Sequence, residues 1–305
     1  MADGFTATPK SVPPRWLYDD LGSTLFEAIC RLPWYRITRA EGALLARHGT
    51  AVFDALPGDL EIVELGGGNG EKLDLLLAAA ARRRRTAAVR LIDISSAALD
   101  LAKARLEGRD TVSAVHTTRA TYEAALASLP ATTASRLVLF LGSNIGNFEP
   151  SDAIAFLRHL CRAAGPNGAV LLGVDLVKPE ADLLLAYDDP LEVTAAFNRN
   201  LLVRMNRDLG ADFPLDAFAH EAAWIAPASR VEMRLVATRA MDVSIPAAGV
   251  AARFAAGEWI WTESSYKYTP SQIETMAGEV GLVAGEQWID PAAQFALTLL
   301  RPRSR

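Results

Sequence analysis

The stretch that decides the fold is residues 61–72, which read EIVELGGGNGEK. Ile62, Val63 and Leu65 form a short apolar run, typical of a buried strand. Glycine then occupies every second position from 66 to 70, and an apolar helical stretch follows. Because glycine has no Cβ, such a turn lets the backbone approach a ligand closely. The free N–H groups of the next helix suit a carboxylate or a phosphate, so the stretch predicts a strand, a ligand-binding turn and a helix.

The spacing of the glycines separates two kinds of ligand. A dinucleotide site has the pattern G-x-G-x-x-G, but Glu71 occupies the third glycine position of that pattern here. Because an acidic residue would repel a pyrophosphate, a dinucleotide-dependent oxidoreductase is only the runner-up among enzyme classes. The form E-x-G-x-G-x-G, which begins at Glu64, resembles instead the first motif of S-adenosylmethionine-dependent methyltransferases. This resemblance implies S-adenosyl-L-methionine (SAM) as the cofactor.

Strands and helices alternate from residue 61 onwards. Apolar strands are predicted near residues 62–65, 89–94, 111–115, 137–141 and 169–174, and helices near 71–83, 96–106, 121–128 and 151–164. This alternation predicts right-handed βαβ units and a parallel sheet. Two final strands, near 282–289 and 294–300, are typical of the seven-stranded methyltransferase sheet. We therefore expect an α/β fold of the class I methyltransferase type, with a doubly wound sheet.

A different pattern interrupts this alternation after Asp175. Residues 179–209 read as largely helical, and strand-like runs follow near 218–225, 230–238, 241–245 and 259–268. Such runs are typical of antiparallel sheets. We therefore predict two discontinuous domains: a SAM-binding domain of residues 40–178 and 267–305, and an α+β substrate-binding domain of residues 1–39 and 179–266.

The N-terminal segment predicts an arm and two helices. Residues 1–14 are polar with several prolines and are expected to lie on the surface, and residues 18–31 read as an amphipathic helix. Residues 38–56 read as a second helix, which Thr38 and Glu41 would begin as a capping box.

Composition and charge exclude several classes of protein. Of 305 residues, 50% are hydrophobic and 22% charged, as in ordinary globular enzymes, and the net charge of -5 argues against a nucleic-acid partner. The two cysteines, Cys30 and Cys161, show no spacing for a disulfide or a metal site. No apolar run is long enough to span a membrane. We expect a cytoplasmic monomer without a membrane partner or a metal.

Several residues of the SAM-binding half are candidate ligand contacts. Asp93 ends the second predicted strand, where an acid accepts hydrogen bonds from both ribose hydroxyls of a nucleoside; it could instead cap the next helix. Lys72 could reach a carboxylate or be a surface lysine. Methyltransferases often carry an acid after the third strand to bind adenine. This chain has Thr121 and Tyr122 there, and they remain the candidates.

The chain as a whole resembles the histidine-specific Nα-methyltransferase family, which makes hercynine, the betaine of histidine, in ergothioneine biosynthesis. The matching segments are 14–19, 32–35, 38–41, 64–66, 140–147, 175–178, 186–190, 197–200, 230–233 and 262–265. The resemblance covers roughly residues 10 to 303. It implies SAM-dependent methylation of the α-amino group of free L-histidine, to the trimethylated product.

The resemblance assigns substrate-binding roles. Tyr187 and Asn147 are similar to the family's carboxylate binders, and Gly142 and Asn147 to its α-amine contacts. The two catalytic candidates are Tyr18, which could orient the amine or relay protons, and Asn147. The imidazole side of the substrate would be held by four further residues: Glu263, Ser265, Tyr35 through water, and Met233 against the ring.

The resemblance also assigns cofactor contacts, with some departures. Gly66, Gly68, Lys72 and Asp93 match cofactor-binding positions. Thr121 stands where the family has an aspartate, which puts the adenine contact in doubt. Residues 67 and 69 are glycine and asparagine instead of the family's usual serine and threonine.

Each assignment has a structural alternative. Met233 could be an ordinary core residue, Asn147 could cap the helix near residue 150, and Tyr187 could pack beside a turn. Strand alternation places Glu263 on one face with Ser265 and Trp261, where an arginine could pair with it. For the whole chain, the alternatives are an Nα-methyltransferase for another amino acid, such as tryptophan, and a non-catalytic cofactor-binding subunit.

Overall fold

The chain forms two compact units in a computed structural model that describes residues 2–303. Unit 1 comprises Met1–Arg36 and Lys178–Tyr266, and unit 2 comprises Ile37–Val177 and Lys267–Arg305. Residue 1, and residues 304 and 305 of the predicted segment 267–305, lie outside the described part. None of the helices between residues 2 and 303 is long and apolar enough to cross a membrane.

Unit 2 is built on a seven-stranded sheet. Its elements are α3 (Ile37–Asp54), β2 (Leu60–Leu65), α4 (Glu71–Arg82), β3 (Ala87–Asp93), α5 (Ser96–Leu106), β4 (Val112–Arg119), α6 (Tyr122–Ala127), β5 (Ser135–Phe140), α7 (Pro150–Ala164), β6 (Ala169–Asp175), α10 (Pro270–Glu279), β12 (Leu282–Asp290) and β13 (Phe295–Pro302). The strand order is β12-β13-β6-β5-β2-β3-β4. Five strands are parallel, and β13 and β12 are antiparallel to their neighbours. The predicted doubly wound α/β sheet is confirmed.

The sheet explains why its strands could be recognised in the sequence. Helices α3, α4 and α5 pack in one row, and α6, α7 and α10 in another. Strands β2, β5 and β6 are buried along their whole length, which favours continuous apolar runs. The strand order reverses between β2 and β5, and ligands of such sheets bind at the carboxyl ends of the strands on either side of this point.

Unit 1 combines helices with strands that are antiparallel except for the parallel pair β1 and β11. Its elements are α1 (Ala2–Thr6), β1 (Lys10–Ser11), α2 (Asp20–Arg31), α8 (Glu180–Tyr187), α9 (Val193–Leu209), β7 (Phe218–Ile225), β8 (Arg230–Ala237), β9 (Met241–Ile245), β10 (Val250–Phe254) and β11 (Trp259–Tyr266). One sheet has the order β1-β11-β8-β7, and β9 and β10 form a separate pair. The sequence pattern did not predict β10.

Two predictions about the N-terminal region are wrong. Within the predicted segment 1–14, the described residues 2–14 are not a surface arm, since Phe5 and Val12 are each only 3% exposed and Lys10 and Ser11 pair with β11. Helix α3 begins at Ile37, so Thr38 lies inside it. The predicted partner of Thr38 in a capping box, Glu41, is instead directed at tertiary partners described below. The local sequence signal was overridden by the packing of a buried carboxylate.

A β-bulge in β11 corrects the predicted face of Trp261. Trp261 pairs with Arg234 on β8, but Glu263 pairs with Met233, so the register shifts between them. Thr262 is the extra residue, and its hydroxyl donates a hydrogen bond to the Met233 carbonyl oxygen at 2.9 Å. Because a bulge adds one residue to one strand, it reverses the alternation of faces beyond it. Glu263 therefore shares a face with Met233, and Trp261 lies on the opposite face.

Candidate functional site

The glycine turn of unit 2 follows the carboxyl end of β2. Gly66, Gly68 and Gly70 have φ angles of 65°, 58° and 76°, which favour glycine. A Cβ on Gly66 would lie 2.2 Å from the Tyr122 hydroxyl, whereas a Cβ on Gly68 would meet nothing within 4 Å. The Asn69 side chain accepts a hydrogen bond from the first backbone N–H of α4 at 3.0 Å. The turn is therefore tightly packed at its start and open at its centre.

Asp93 connects the end of β3 to this turn. Its Oδ1 accepts a hydrogen bond from the Ser95 backbone N–H at 2.9 Å, and the Gly68 backbone N–H also donates to the carboxylate. Burial raises the pKa of Asp93, against these hydrogen bonds. The N-cap of α5 is Ser95, which accepts from the Ala98 N–H at 3.2 Å. Asp93 is therefore a half-buried acceptor at the glycine turn, and the side chain that caps α5 is that of Ser95.

Glu41 brings two predicted site residues together. Its carboxylate is 0% exposed and lies 2.6 Å from the Lys72 ammonium. Both of its oxygens accept from the Gly142 backbone N–H, at 2.8 and 2.9 Å. A Cβ on Gly142 would lie 3.2 Å from the Lys72 Nζ. Lys72 is therefore not a surface lysine, and it lies beside the turn that follows β5.

The turn after β5 has an unusual backbone. Gly142 and Ser143 both have left-handed conformations, with φ angles of 77° and 61°. Ser143 is buried, and its hydroxyl accepts from the Asp175 N–H at 2.9 Å. A 3₁₀ turn, Asn144–Asn147, follows, and it contains the half-buried Asn147. Non-glycine residues in this conformation often mark functional sites.

The two candidate adenine contacts differ in position. Thr121 is exposed and is the N-cap of α6. Tyr122 lies beside the glycine turn, with its ring edge-on to Phe140 at 5.6 Å, and burial raises the pKa of its hydroxyl. The structure thus places Tyr122, and not Thr121, against Gly66.

Glu64 in β2 is a buried carboxylate without a hydrogen-bond partner. It is 1% exposed, and both oxygens are unpaired within the described residues. A Cβ on Gly67 would lie 2.2 Å from its Oε2, so the carboxylate lies directly against the glycine turn. Burial raises the pKa of Glu64 to about 7, and Lys72 acts in the opposite direction. This carboxylate suits a cationic group at the turn.

We expect Glu64→Gln to change the pH dependence of stability. Well below pH 4.5, the ordinary pKa of this group, the carboxyl is protonated in both the folded and the unfolded state. As pH rises towards about 7, only the unfolded state ionises freely, so the wild type loses stability. The variant should therefore be more stable than the wild type at pH 8, by roughly 3 kcal/mol, and nearly equal to it at pH 4. Urea unfolding of both ligand-free proteins at the two pH values measures this.

Glu61→Gln is the matched control for this prediction. Glu61 lies in the same strand. Burial alone would raise the pKa of Glu61, but hydrogen bonds from Arg90 and Arg136 hold it below its usual range. A lowered pKa stabilises the folded state above pH 4.5, so this variant should lose stability at pH 8. A Glu64→Gln variant that also loses stability at pH 8 would show that Glu64 is ionised and paired.

The predicted imidazole-side residues lie together in unit 1. The Tyr18 hydroxyl donates to Glu263 Oε1 at 3.3 Å, and the Tyr187 hydroxyl donates to Ser265 Oγ at 2.8 Å. Glu263 and Ser265 are 7% and 5% exposed, and Met233, opposite Glu263, is 2% exposed. The bulged strand therefore presents a carboxylate and a hydroxyl on an otherwise apolar face, each with a tyrosine partner.

An aromatic cluster holds these tyrosines. Tyr18 packs edge-on against Phe197 and Phe26, with centroid distances of 5.5 and 5.7 Å. Tyr35 continues the cluster, 6.2 Å from Phe26 and 6.4 Å from Tyr187. Such pairs fix ring orientation, so the three tyrosines, Tyr18, Tyr35 and Tyr187, belong to one packed group.

His220 supports the backbone of Tyr187 and was not predicted. The Asn198 side-chain amide nitrogen donates to the Arg234 carbonyl oxygen at 3.0 Å, and it also lies 2.9 Å from His220 Nδ1. Nδ1 must therefore accept, and Nε2–H donates to the Tyr187 carbonyl oxygen at 2.8 Å. Burial lowers the pKa of His220, which agrees with this neutral form.

For two more functional candidates, Glu41 and Glu64, the sequence motifs predicted no ligand-binding or positioning role. Glu41 follows Ile37 and Ala40 and precedes Leu44 on the buried side of α3, so helical periodicity already placed a carboxylate on an apolar face. Glu64 interrupts the apolar run of β2 between Val63 and Leu65. An acid at a position that the pattern buries was the available signal in both cases.

Comparison with known proteins finds one family that matches nearly the whole chain. The model of the histidine-specific, SAM-dependent methyltransferases matches residues 1–302. The histidine N-alpha-methyltransferase of Mycolicibacterium smegmatis is 40% identical over 296 residues, which cover 97% of this chain and 92% of the relative. That of Mycobacterium tuberculosis is 39% identical, with the same coverage of 97% and 92%. Ergothioneine biosynthesis protein 1 of Neurospora crassa is 33% identical over 66% of this chain and 23% of that protein.

Proposed function

We propose, from the premise that this chain belongs to the histidine-specific, SAM-dependent methyltransferase family, that it methylates the α-amino nitrogen of free L-histidine. The product would be the trimethylated betaine hercynine. The observation that supports this substrate most directly is the Glu263–Ser265 pair, which faces the same side as Met233 and has tyrosine partners. An imidazole has two nitrogens, and a carboxylate and a hydroxyl can bind one each.

The residues of unit 2 fit SAM as the methyl donor. Gly68 leaves space at the turn, Asp93 is a half-buried acceptor suited to ribose hydroxyls, and Lys72 can meet a carboxylate. The unpaired Glu64 carboxylate suits the cationic part of the cofactor. We assign Gly66, through its backbone, and Tyr122 to the same ligand. The cofactor supplies an electrophilic methyl group on a sulfonium.

The α-amino and α-carboxylate groups of the substrate need acceptors and donors. The Gly142 N–H is already donated to Glu41, so its carbonyl oxygen is the group that can accept from the amine. The Asn147 amide can accept from the amine and donate to the carboxylate. We assign the Tyr187 hydroxyl to the carboxylate as well, which requires it to exchange its present bond to Ser265.

The chemical task of the protein is to deliver a neutral amine in line with the methyl group. Positioning accounts for much of such catalysis. The α-ammonium must lose a proton first, and both removal of water and a nearby positive charge lower an ammonium pKa. Tyr18 directs its O–H at Glu263, so its oxygen lone pairs can accept from the amine. We assign Tyr18 the role of orienting the amine, with Tyr35 reaching the imidazole through water.

A mixture of the twenty amino acids, incubated with the enzyme and SAM, tests this proposal. Mass spectrometry should show mass gains of one to three methyl groups on histidine alone. A gain on tryptophan or another amino acid, with histidine unchanged, would show that Glu263 and Ser265 do not select an imidazole. Omission of SAM is the control for carried-over product.

A further inference from the structure

Glu41 is the most fully buried carboxylate near the glycine turn that no proposed binding role uses. It is 0% exposed, and it belongs to α3, outside the strand and turn that carry the SAM motif. Its partners are the Lys72 ammonium, from α4, and the Gly142 N–H, from the turn after β5. One side chain therefore connects two elements at the carboxyl edge of the sheet.

The residues around Glu41 pair with its carboxylate and leave space for it. A buried charge is costly unless it is paired and hydrogen-bonded, and Glu41 receives both a cation and a backbone donor. Gly173, in β6, leaves room for it: a Cβ there would lie 1.9 Å from Glu41 Oε1. The Glu41 carboxylate is thus accommodated by three separate positions: Lys72, Gly142 and Gly173. None of these contacts is needed to stabilise helix α3 itself.

We propose that Glu41 is a positioning residue that holds the cofactor-binding lysine and the amine-binding turn in register with each other. This inference rests on the proposed function, in which Lys72 meets the cofactor carboxylate and Gly142 meets the substrate amine. By anchoring the ammonium, Glu41 keeps Lys72 from turning out to solvent. By taking the Gly142 N–H, it leaves the carbonyl oxygen of that residue for the amine.

Two substitutions separate the two contacts. In Glu41→Gln the amide oxygen can still accept from Gly142, but the charge that holds Lys72 is lost. We expect the dissociation constant of S-adenosylhomocysteine, measured by calorimetry, to rise about tenfold, with kcat at saturating SAM nearly unchanged. Glu41→Met loses both contacts, so kcat should also fall about tenfold or more, and the Gly142 amide should exchange hydrogen faster.

Glu61→Gln is the matched control, because Glu61 is also a buried, ion-paired glutamate, and it lies near the amino end of strand β2. This control variant should lose stability, but its cofactor affinity, its kcat and the hydrogen-exchange rate of its Gly142 amide should stay as in the wild type. If both Glu41 variants behave like this control, Glu41 is only structural and the inference is wrong. Calorimetry needs no amino-acid substrate, so a wild type that binds S-adenosylhomocysteine but does not methylate histidine refutes the proposed substrate alone. A wild type that does not bind it refutes both.

Discussion

Replacing Glu263 by alanine is expected to lower kcat/KM for histidine by about ten- to a hundredfold, or about 1–3 kcal/mol. In the proposed binding mode the substitution leaves an imidazole nitrogen without its partner on a largely buried face, and it also removes the acceptor of the Tyr18 hydroxyl. The ratio of kcat/KM for histidine to kcat/KM for tryptophan should also fall, because the charge that disfavours an apolar ring is gone. Steady-state kinetics with both amino acids measures the two effects.

Glu232→Ala is the control for this prediction. Glu232 is also a buried glutamate of the same sheet, but it lies on the opposite face of β8 from Met233 and pairs with Arg230 and Arg234. It should lose stability and keep the ratio of kcat/KM between histidine and tryptophan. Unchanged histidine kinetics in Glu263→Ala, or a wild type that prefers tryptophan, would overturn the assignment of the imidazole site.

Replacing Asp93 by alanine should weaken binding of SAM and S-adenosylhomocysteine by about 1–3 kcal/mol. In its proposed role Asp93 accepts from two ribose hydroxyl groups, and in the variant the Gly68 N–H also loses the acceptor that ties the glycine turn to β3. Isothermal calorimetry measures the affinity directly. NAD should not bind to the wild type at all, because Glu71 disfavours a pyrophosphate at this turn.

Ser95→Ala separates cofactor binding from helix capping. It removes the N-cap hydrogen bond of α5 but leaves the Asp93 carboxylate in place, so stability should fall while cofactor affinity stays. If Asp93→Ala binds S-adenosylhomocysteine as the wild type does, the carboxylate does not contact the ribose.

The central strands of the unit 2 sheet, β2, β5 and β6, could be predicted from the sequence because they are buried on both faces. Such strands read as short, continuous apolar runs between helices, and the glycine turn marks the first of them. The final strand pair was also predicted; β13 is buried along most of its length, whereas β12 is largely exposed. The resemblance to the histidine-specific family is confirmed by the match over residues 1–302.

The predictions that were wrong failed because of tertiary contacts. The bulge at Thr262 depends on the register between β11 and β8, which no pattern within one strand contains. Glu41 matched a local capping signal, but its carboxylate is bound by Lys72 and Gly142, which lie 31 and 101 positions further along the chain. Phe5 looked like part of a polar arm, yet its ring packs against Phe213 at 5.8 Å. Contacts between distant segments decided each of these positions.

The central claim is that the methyl groups go to the α-nitrogen of free histidine, and fragmentation mass spectrometry of the product tests it most directly. We predict that the product loses trimethylamine and that its imidazole fragment keeps the mass of unmodified histidine. A peptide with an internal histidine should remain unmodified, because it offers neither a free α-amine nor a free α-carboxylate. A methyl group on the imidazole fragment, or on the internal histidine of the peptide, would contradict the claim.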